Sequence, residues 1–344
     1  MINNTLREYK EYCYQSTLKG QYTSWKKSLD LLTSWNTDKH YIKLCKLWYS
    51  LIFEQSFLDE LPDDTEELLF HSSESCTIKR KDRKEVFLHD IEACDYSLML
   101  KTIALKNNIE WSLKSPFVSF FYTRRSKRFR LSFLHESLSP DKEPKSFFRT
   151  LKTEVININQ YTQKQLLKEA ILNKKNILVA GATGSGKTTL VNSLLSITSA
   201  DEHILILEDT YELISPHRNT TRLLSTKNES GSLDSLLTYG LRMSPDRIVL
   251  GELRSREVTT FIQAMNTGHR GMISTIHANS AKDALLRAAL LFNLHQSNSL
   301  DFHSTLKFFC ENIDHVVYIE NKLIKEFIDV FGSEKSQVFF DLKN

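Results

Sequence analysis

The stretch Gly181-Ala182-Thr183-Gly184-Ser185-Gly186-Lys187-Thr188-Thr189 constrains this chain more than any other. It fits G-x-x-x-x-G-K-[ST] at every fixed position. Asn176 to Ala180, just before it, is a short apolar run of the kind a buried parallel strand shows. After it, Leu190, Val191, Leu194 and Leu195 recur at helical spacing. A glycine-rich turn between strand and helix aims its N–H groups at an anion, and the helix start adds its positive end. Residues 181–189 would therefore wrap a polyphosphate. Lys187 would reach the outer phosphates, and the Thr188 hydroxyl would meet a Mg²⁺ ion. As a ligand rather than a core residue, Lys187 is expected to face solvent.

With 344 residues the chain exceeds one ordinary core, which predicts two or more domains. Apolar content of 41% with 25% charged residues describes a soluble globular protein. A net charge of only +3 gives no global nucleic-acid footprint. No run approaches the ~18 apolar residues of a membrane span. The first residues lack the apolar core of a signal peptide. Five scattered cysteines without C-x-x-C argue against a disulfide framework or zinc site, and for a reducing cytoplasm.

Residues 1–60 read as a helical extension. Trp25, Leu29, Leu32 and Trp35, then Tyr41, Leu44, Leu47, Trp48 and Leu51, recur at three- and four-residue steps, and these stripes are expected to form core. Leu61-Pro62-Asp63-Asp64 is a loop. Residues 61–150 read as an α+β domain, with strands over 67–71, 86–88, 118–122 and 129–133 and a helix over 95–106. Basic clusters at 79–84 and 124–128 fit solvated hairpin turns better than a nucleic-acid surface, while an anionic lipid or acidic partner stays open.

Residues 151–344 read as an α/β domain. A helix over 164–172 precedes the phosphate loop, and strand then alternates with helix, as a mostly parallel sheet requires. Strand 203–208 ends in Glu208-Asp209-Thr210-Tyr211-Glu212, and strand 247–251 ends in Glu252. Acids at such strand ends face the ligand crevice, where they hold a metal or an attacking water, unless they merely cap helices. Helices are predicted over 232–243, 258–265 and 280–292, and a strand over 272–276 ends in His277. A histidine there is placed to sense the terminal phosphate. Strands over 316–319, 327–331 and 338–340 would close the chain as an antiparallel meander.

With these residues in place, the chain resembles the secretion traffic ATPases of type II and type IV secretion and type IV pili. The resemblance covers roughly residues 60–330 and is dense over 175–295. It rests on the Walker A loop at 181–189, an Asp box at 208–213, Walker B at 245–254 and a His box from Thr267 through Ser280. The run Gln263-Ala264-Met265-Asn266-Thr267-Gly268-His269 looks most like the tight-adherence (Flp) pilus branch. The resemblance implies a homohexameric ring, each subunit pairing an N-terminal PAS-like domain with a C-terminal RecA-like P-loop domain. ATP would bind between them with Mg²⁺. It implies catalytic roles for Lys187, Glu208, Glu252, His277, Arg218 and Arg222, and nucleotide contacts from Arg149 and Arg242. Thr188, Glu208 and Glu252 would hold the metal. Tyr211, where the family box often has Pro or Ala, and Ser255-Arg256, in place of Gly-Pro, depart from the pattern.

The function implied is ATP hydrolysis that powers secretion or pilus assembly, by a cytoplasmic ring at the inner membrane with platform proteins as partners and no stable nucleic acid. The rival from another class is a RecA-like motor driven by nucleic acid, which would use the two basic clusters. A non-hydrolysing scaffold is opposed by intact Lys187, Thr188, Glu252 and His277.

Overall fold

The computed structural model describes residues 2–21, 23–35, 37–81, 83–88, 91–151, 155–226, 229–295, 301–331 and 339–342. Asp82 of the first basic cluster and Val338 of the last expected strand lie outside them. The chain divides into two compact units, Met1–Lys152 and Thr153–Asn344.

The first unit opens with helices α1 (Ile2–Leu18), α2 (Trp25–Ser34) and α3 (Lys39–Ile52). Ser24 and Asp38 start the latter two by accepting bonds from the Lys27 and His40 amides. Strands β1 (Thr65–Phe70), β2 (Ser75–Arg80) and β3 (Lys84–Leu88) follow, then helix α4 (Ala93–Lys106) and strands β4 (Phe117–Arg124), β5 (Lys127–Leu134) and β6 (Lys145–Leu151). The strands form an antiparallel sheet in the order β3-β2-β1-β6-β5-β4. Tyr9, Cys13, Leu32, Trp48 and Tyr49 share one core with Leu68, Phe70, Tyr96, Phe133 and Phe148, so the helices pack on the sheet rather than standing apart.

The expected helical stripes need correction. Leu47 is 69% exposed, and Leu29 and Trp35 also face outward. The buried side of α3 is Cys45, Trp48, Tyr49 and Ile52. Polar tethers fix this rotation. The Trp48 indole donates to Asp95, which Lys10 also grips, and the Tyr49 hydroxyl donates to the Thr23 carbonyl. Strands β2 and β6 escaped the sequence reading because charged residues interrupt their apolar alternation.

The second unit runs α5 (Lys164–Leu172), β7 (Ile177–Ala180), α6 (Lys187–Leu195), β8 (Ile204–Glu208), β9 (Thr220–Leu224), α7 (Leu233–Gly240), β10 (Arg247–Leu250), α8 (Glu257–Asn266), β11 (Ile273–Ile276), α9 (Ala281–His295), α10 (Phe302–Asn312), β12 (His315–Glu320), β13 (Leu323–Phe331) and β14 (Phe339–Leu342). The sheet order is β14-β13-β12-β7-β11-β10-β8-β9. Strands β9, β8, β10, β11, β7 and β12 are parallel, and β13 and β14 return antiparallel. This is the RecA-like architecture expected. The tail is a meander as read, except that β12 also joins the parallel set beside β7. Strand β9 and helix α10 were not anticipated.

Every residue of β7, β8, β10 and β11 is buried, because helices cover both faces. Parallel strands all finish at one rim, so the phosphate loop, Glu208, Glu252 and His277 emerge together. The opposite rim is tied by Arg247, only 1% exposed. Its guanidinium pairs with Glu202 at 2.8 Å and donates to the carbonyls of Gly271 and Ile171 at 2.9 and 3.0 Å. A side chain at Gly271 would collide with it. Removing one partner of such a buried pair leaves the others uncompensated. Arg247→Ala should therefore cost about 3–5 kcal/mol, measured as a lowered denaturant midpoint; an unchanged midpoint would show the knot to be dispensable.

Candidate nucleotide-binding site

The phosphate loop leaves β7 at Gly181, where a side chain would strike the Ile319 carbonyl and the Ser185 hydroxyl. It enters α6 at Gly186, whose φ of +108° is closed to ordinary residues. Ala182, Thr183 and Gly184 are exposed, Gly186, Thr188 and Thr189 are half-buried, and Gly181 and Ser185 are buried. The loop therefore has an open face and a packed back.

Lys187 does not face solvent; it is 7% exposed. Its ammonium donates to the carbonyls of Gly181 and Ala182, each at 2.8 Å, and lies 3.3 Å from His277 Nδ1. The helix start beneath it packs against the sheet and draws the side chain in. Burial holds its pKa down to about 8. His277 Nε2 lies 3.0 Å from Glu252 Oε1. Burial, then the neighbouring Lys187 charge, lowers the His277 pKa. With its pKa lowered, the ring is a neutral imidazole that stands between the Lys187 ammonium at Nδ1 and the Glu252 carboxylate at Nε2.

Glu252 is also gripped by the Arg254 guanidinium, which reaches Asp209 at 3.5 Å on the other side. The turn carrying both is fixed from beneath. The buried Glu257 carboxylate accepts from the Arg254 and Ser255 amides, Leu253 N donates to Thr275 O, and the Thr275 hydroxyl donates to Gly251 O. The resemblance marks Arg254 as one of the arginines near Walker B, whereas Glu257 carried no such mark. Its only signal in the sequence is an acid in the first turn of α8, where a negative charge suits the helix start.

Glu208 lies beside this turn. Gly251 leaves the room, since a β-carbon there would sit 3.3 Å from the Glu208 side chain. Oε1 of Glu208 accepts from the amides of Glu212 and Leu213 at 2.9 and 2.7 Å, while its buried Oε2 accepts no hydrogen bond. Arg222 Nε lies 3.7 Å from Oε2. The Arg222 guanidinium stacks 4.2 Å over the Tyr211 ring and donates to the Leu213 carbonyl. Tyr211, the departure noted in the box, is thus the platform for this arginine. Burial outweighs the amides and Arg222 and pushes the Glu208 pKa up to about 7.

The geometry therefore joins Lys187, His277, Glu252 and Arg254 in one cluster and sets Glu208 with Arg222 beside it. Arg218, on the loop before β9, and Arg242, after α7, are exposed. Arg149 lies on β6 of the first unit, paired with Glu67 at 2.7 Å. The basic clusters also meet acids. Arg80 pairs with Asp64, Lys79 with Glu66 and Glu67, Arg83 with Glu85, and Arg124 and Arg125 with Asp59. Lys127 donates to the Leu61 carbonyl. Both clusters sit on hairpins, β2–β3 and β4–β5, as expected; Lys81, Arg83, Lys84 and Arg125 are exposed, while Lys79, Arg80 and Arg124 are tied to neighbouring segments.

Strand, glycine loop, helix and two acids at neighbouring strand ends define a P-loop nucleotide-binding domain of the RecA-like class. Residues 142–305 match the pattern of the "Type II/IV secretion system protein" family. The VirB11 protein of Bartonella henselae is 40% identical over 141 residues, covering 39% of this chain and 40% of the relative. The PtlH protein of Bordetella pertussis is 43% identical over 163 residues, covering 45% and 48%. The chain thus spans less than half the length of these curated relatives. Two solved structures share the fold. The pilus retraction motor PilT with bound ADP has a TM-score of 0.59 at 19% identity, covering 83% of this chain and 81% of its own. The Legionella pneumophila ATPase DotB has 0.60 at 16% identity, covering 84% and 79%.

Glu208 also sets a pH dependence. An unfolded carboxylate releases its proton near pH 4.3, while the folded one holds it to about 7. Between these values the folded chain binds more protons, so stability falls as pH rises through that window. Glu208→Gln keeps the acceptor for both amides and loses the titration. In metal-free buffer, wild type should therefore lose more thermal stability from pH 5 to pH 8 than Glu208→Gln. Parallel pH profiles for the two would show that Glu208 titrates normally.

Proposed function

We propose that this chain is an ATP-hydrolysing subunit of a type IV secretion or pilus machine. The observation that carries it is the convergence of Lys187, His277 and Glu252 at the phosphate loop. Phosphoryl transfer to water needs positioning and charge neutralisation more than covalent chemistry. The Lys187 ammonium, close to neutral pKa and already beside two carbonyls, is placed to turn onto phosphate oxygens. Glu252 would hold and orient the attacking water, and His277 would link it to the ammonium that meets the terminal phosphate. Mg²⁺ would neutralise charge between the outer phosphates. The buried Glu208 Oε2, which accepts no hydrogen bond, and Glu252 beside it fit a cation site, with the Thr188 hydroxyl as third ligand.

The arginines would complete the charge balance. Arg222 is held in its own subunit by Tyr211 and Glu208, so we assign it first to its own site; Arg218 and Arg242, both exposed, and Arg149, which would have to leave Glu67, are the further candidates to serve the nucleotide. Subunits would close as a homohexamer, with nucleotide stabilising the junctions. Among the described residues no helix is long and apolar enough to cross a membrane, which suits a ring seated on inner-membrane platform proteins at the cytoplasmic face. The names of the relatives favour the type IV secretion branch over tight-adherence pili. The pairing of the basic clusters weighs against the motor driven by nucleic acid.

Two variants test this. Lys187→Ala should fold and lose ATP turnover, since it removes a buried ammonium along with the phosphate contact; wild-type turnover would sink the proposal. Glu252→Gln should bind ATP but hydrolyse it at least ~10²-fold more slowly, the loss expected of a water-positioning group. A dead Glu208→Gln beside an active Glu252→Gln would reverse the two roles.

A further inference from the structure

The back of the phosphate loop rests on something none of the motifs include. Strand β12 runs parallel to β7 with Tyr318 opposite Ala180, so Ile319 arrives beside Gly181. There the β12–β13 pairing slips by a bulge between Tyr318 and Ile319, and Glu320 pairs with Leu323 across a two-residue turn, Asn321-Lys322. Both turn residues are left-handed, with φ of +50° and +65°, the primed hairpin geometry that glycine and asparagine favour. Lysine there is strained, and bulges and strain of this kind concentrate where the surroundings over-determine the backbone.

The surroundings are the phosphate loop. Lys322 N donates to the Ser185 carbonyl at 2.8 Å. The Ile319 carbonyl fills the space a side chain at Gly181 would need. A β-carbon at Gly186 would lie 3.3 Å from Ile319 Cδ1 and 3.4 Å from Lys322 Cα. The turn thus touches the loop at its start, at Ser185 and at its end, and leaves the exposed face of Ala182, Thr183 and Gly184 open.

We propose that the Asn321-Lys322 turn is a positioning element for polyphosphate binding. The Lys322 amide pins Ser185 and holds the loop's N–H groups in the inward arrangement that an anion needs. The proposal rests on the nucleotide-binding function above. Two of the three walls of the loop, β7 and α6, come from the motif itself; the third comes from a hairpin some 130 residues later in the chain. Movement of that hairpin would be felt at the phosphates.

The test compares affinity for a fluorescent ATP analogue with Mg²⁺, alongside thermal midpoints, in the full chain. Inserting one glycine between Asn321 and Lys322 makes a three-residue turn and carries the amide off Ser185. Losing one neutral hydrogen bond that organises the site should weaken binding by roughly 3- to 10-fold. Lys322→Gly removes the ammonium, keeps the amide and suits a positive φ, so its loss should be clearly smaller. Unchanged affinity in a folded insertion variant overturns the proposal. So does a loss in Lys322→Gly as large as the insertion's, which would move the effect to the ammonium. If the insertion variant does not fold, hydrogen exchange in the wild type decides. Nucleotide should slow exchange of the Lys322 amide along with the loop, and slowing in the loop alone would overturn the proposal. A wild type that binds no nucleotide would instead refute the function on which it rests.

Discussion

A buried ammonium is the constraint on which this site depends. Lys187 sits almost out of water, where an unpaired charge is costly, and two main-chain carbonyls and a neutral imidazole carry it. That imidazole leads to Glu252, Glu252 to Arg254, and Arg254 to Asp209. Positive and negative groups alternate along this line, so displacing one end shifts the balance at the other. A polyphosphate would compete directly for the Lys187 ammonium. The group that recognises the anion is thereby wired through His277 to the carboxylate proposed to position water.

Such wiring works only if the backbone beneath it is stiff. The parallel strands deliver their acids to one rim, and the turns above them are fixed by buried acceptors: Glu257 under Arg254 and Ser255, Glu208 under Glu212 and Leu213. At the far rim Arg247 closes the same sheet onto Glu202, Gly271 and Ile171. Charged burial is thus spent at the two ends of the strands, while between them β11 buries the hydroxyls of Ser274 and Thr275. Burial of Glu208 carries a cost, and its raised pKa reflects it.

How much of this was legible follows from what fixes each residue. The phosphate loop, Glu208, Glu252 and His277 could be read because one chemistry dictates residue type and spacing within short segments. The buried state of Lys187 could not, since it depends on how the start of α6 packs. Strands β2 and β6 were missed because charges break their alternation, and those charges make sense only across strands, as with Glu67 between Lys79 and Arg149. The exposed Leu47 had the helical spacing of a core residue. Trp48 and Tyr49 overruled it through hydrogen bonds to Asp95 and Thr23, partners far away in sequence.

The same distinction governs Tyr211 and Lys322. A motif comparison marks Tyr211 as a departure and ignores Lys322, yet both touch the site. The Tyr211 ring supplies a flat apolar face that lets a guanidinium sit near a buried carboxylate without full hydration, and it does so for an arginine eleven residues on. Lys322 supplies only a main-chain amide, which any residue but proline could provide, so no side-chain pattern records it. What the turn demands instead is a left-handed backbone at two successive positions. The asparagine is a comfortable choice and the lysine is not. A strained residue is kept where its neighbours hold it, and here the neighbour is the Ser185 carbonyl of the phosphate loop.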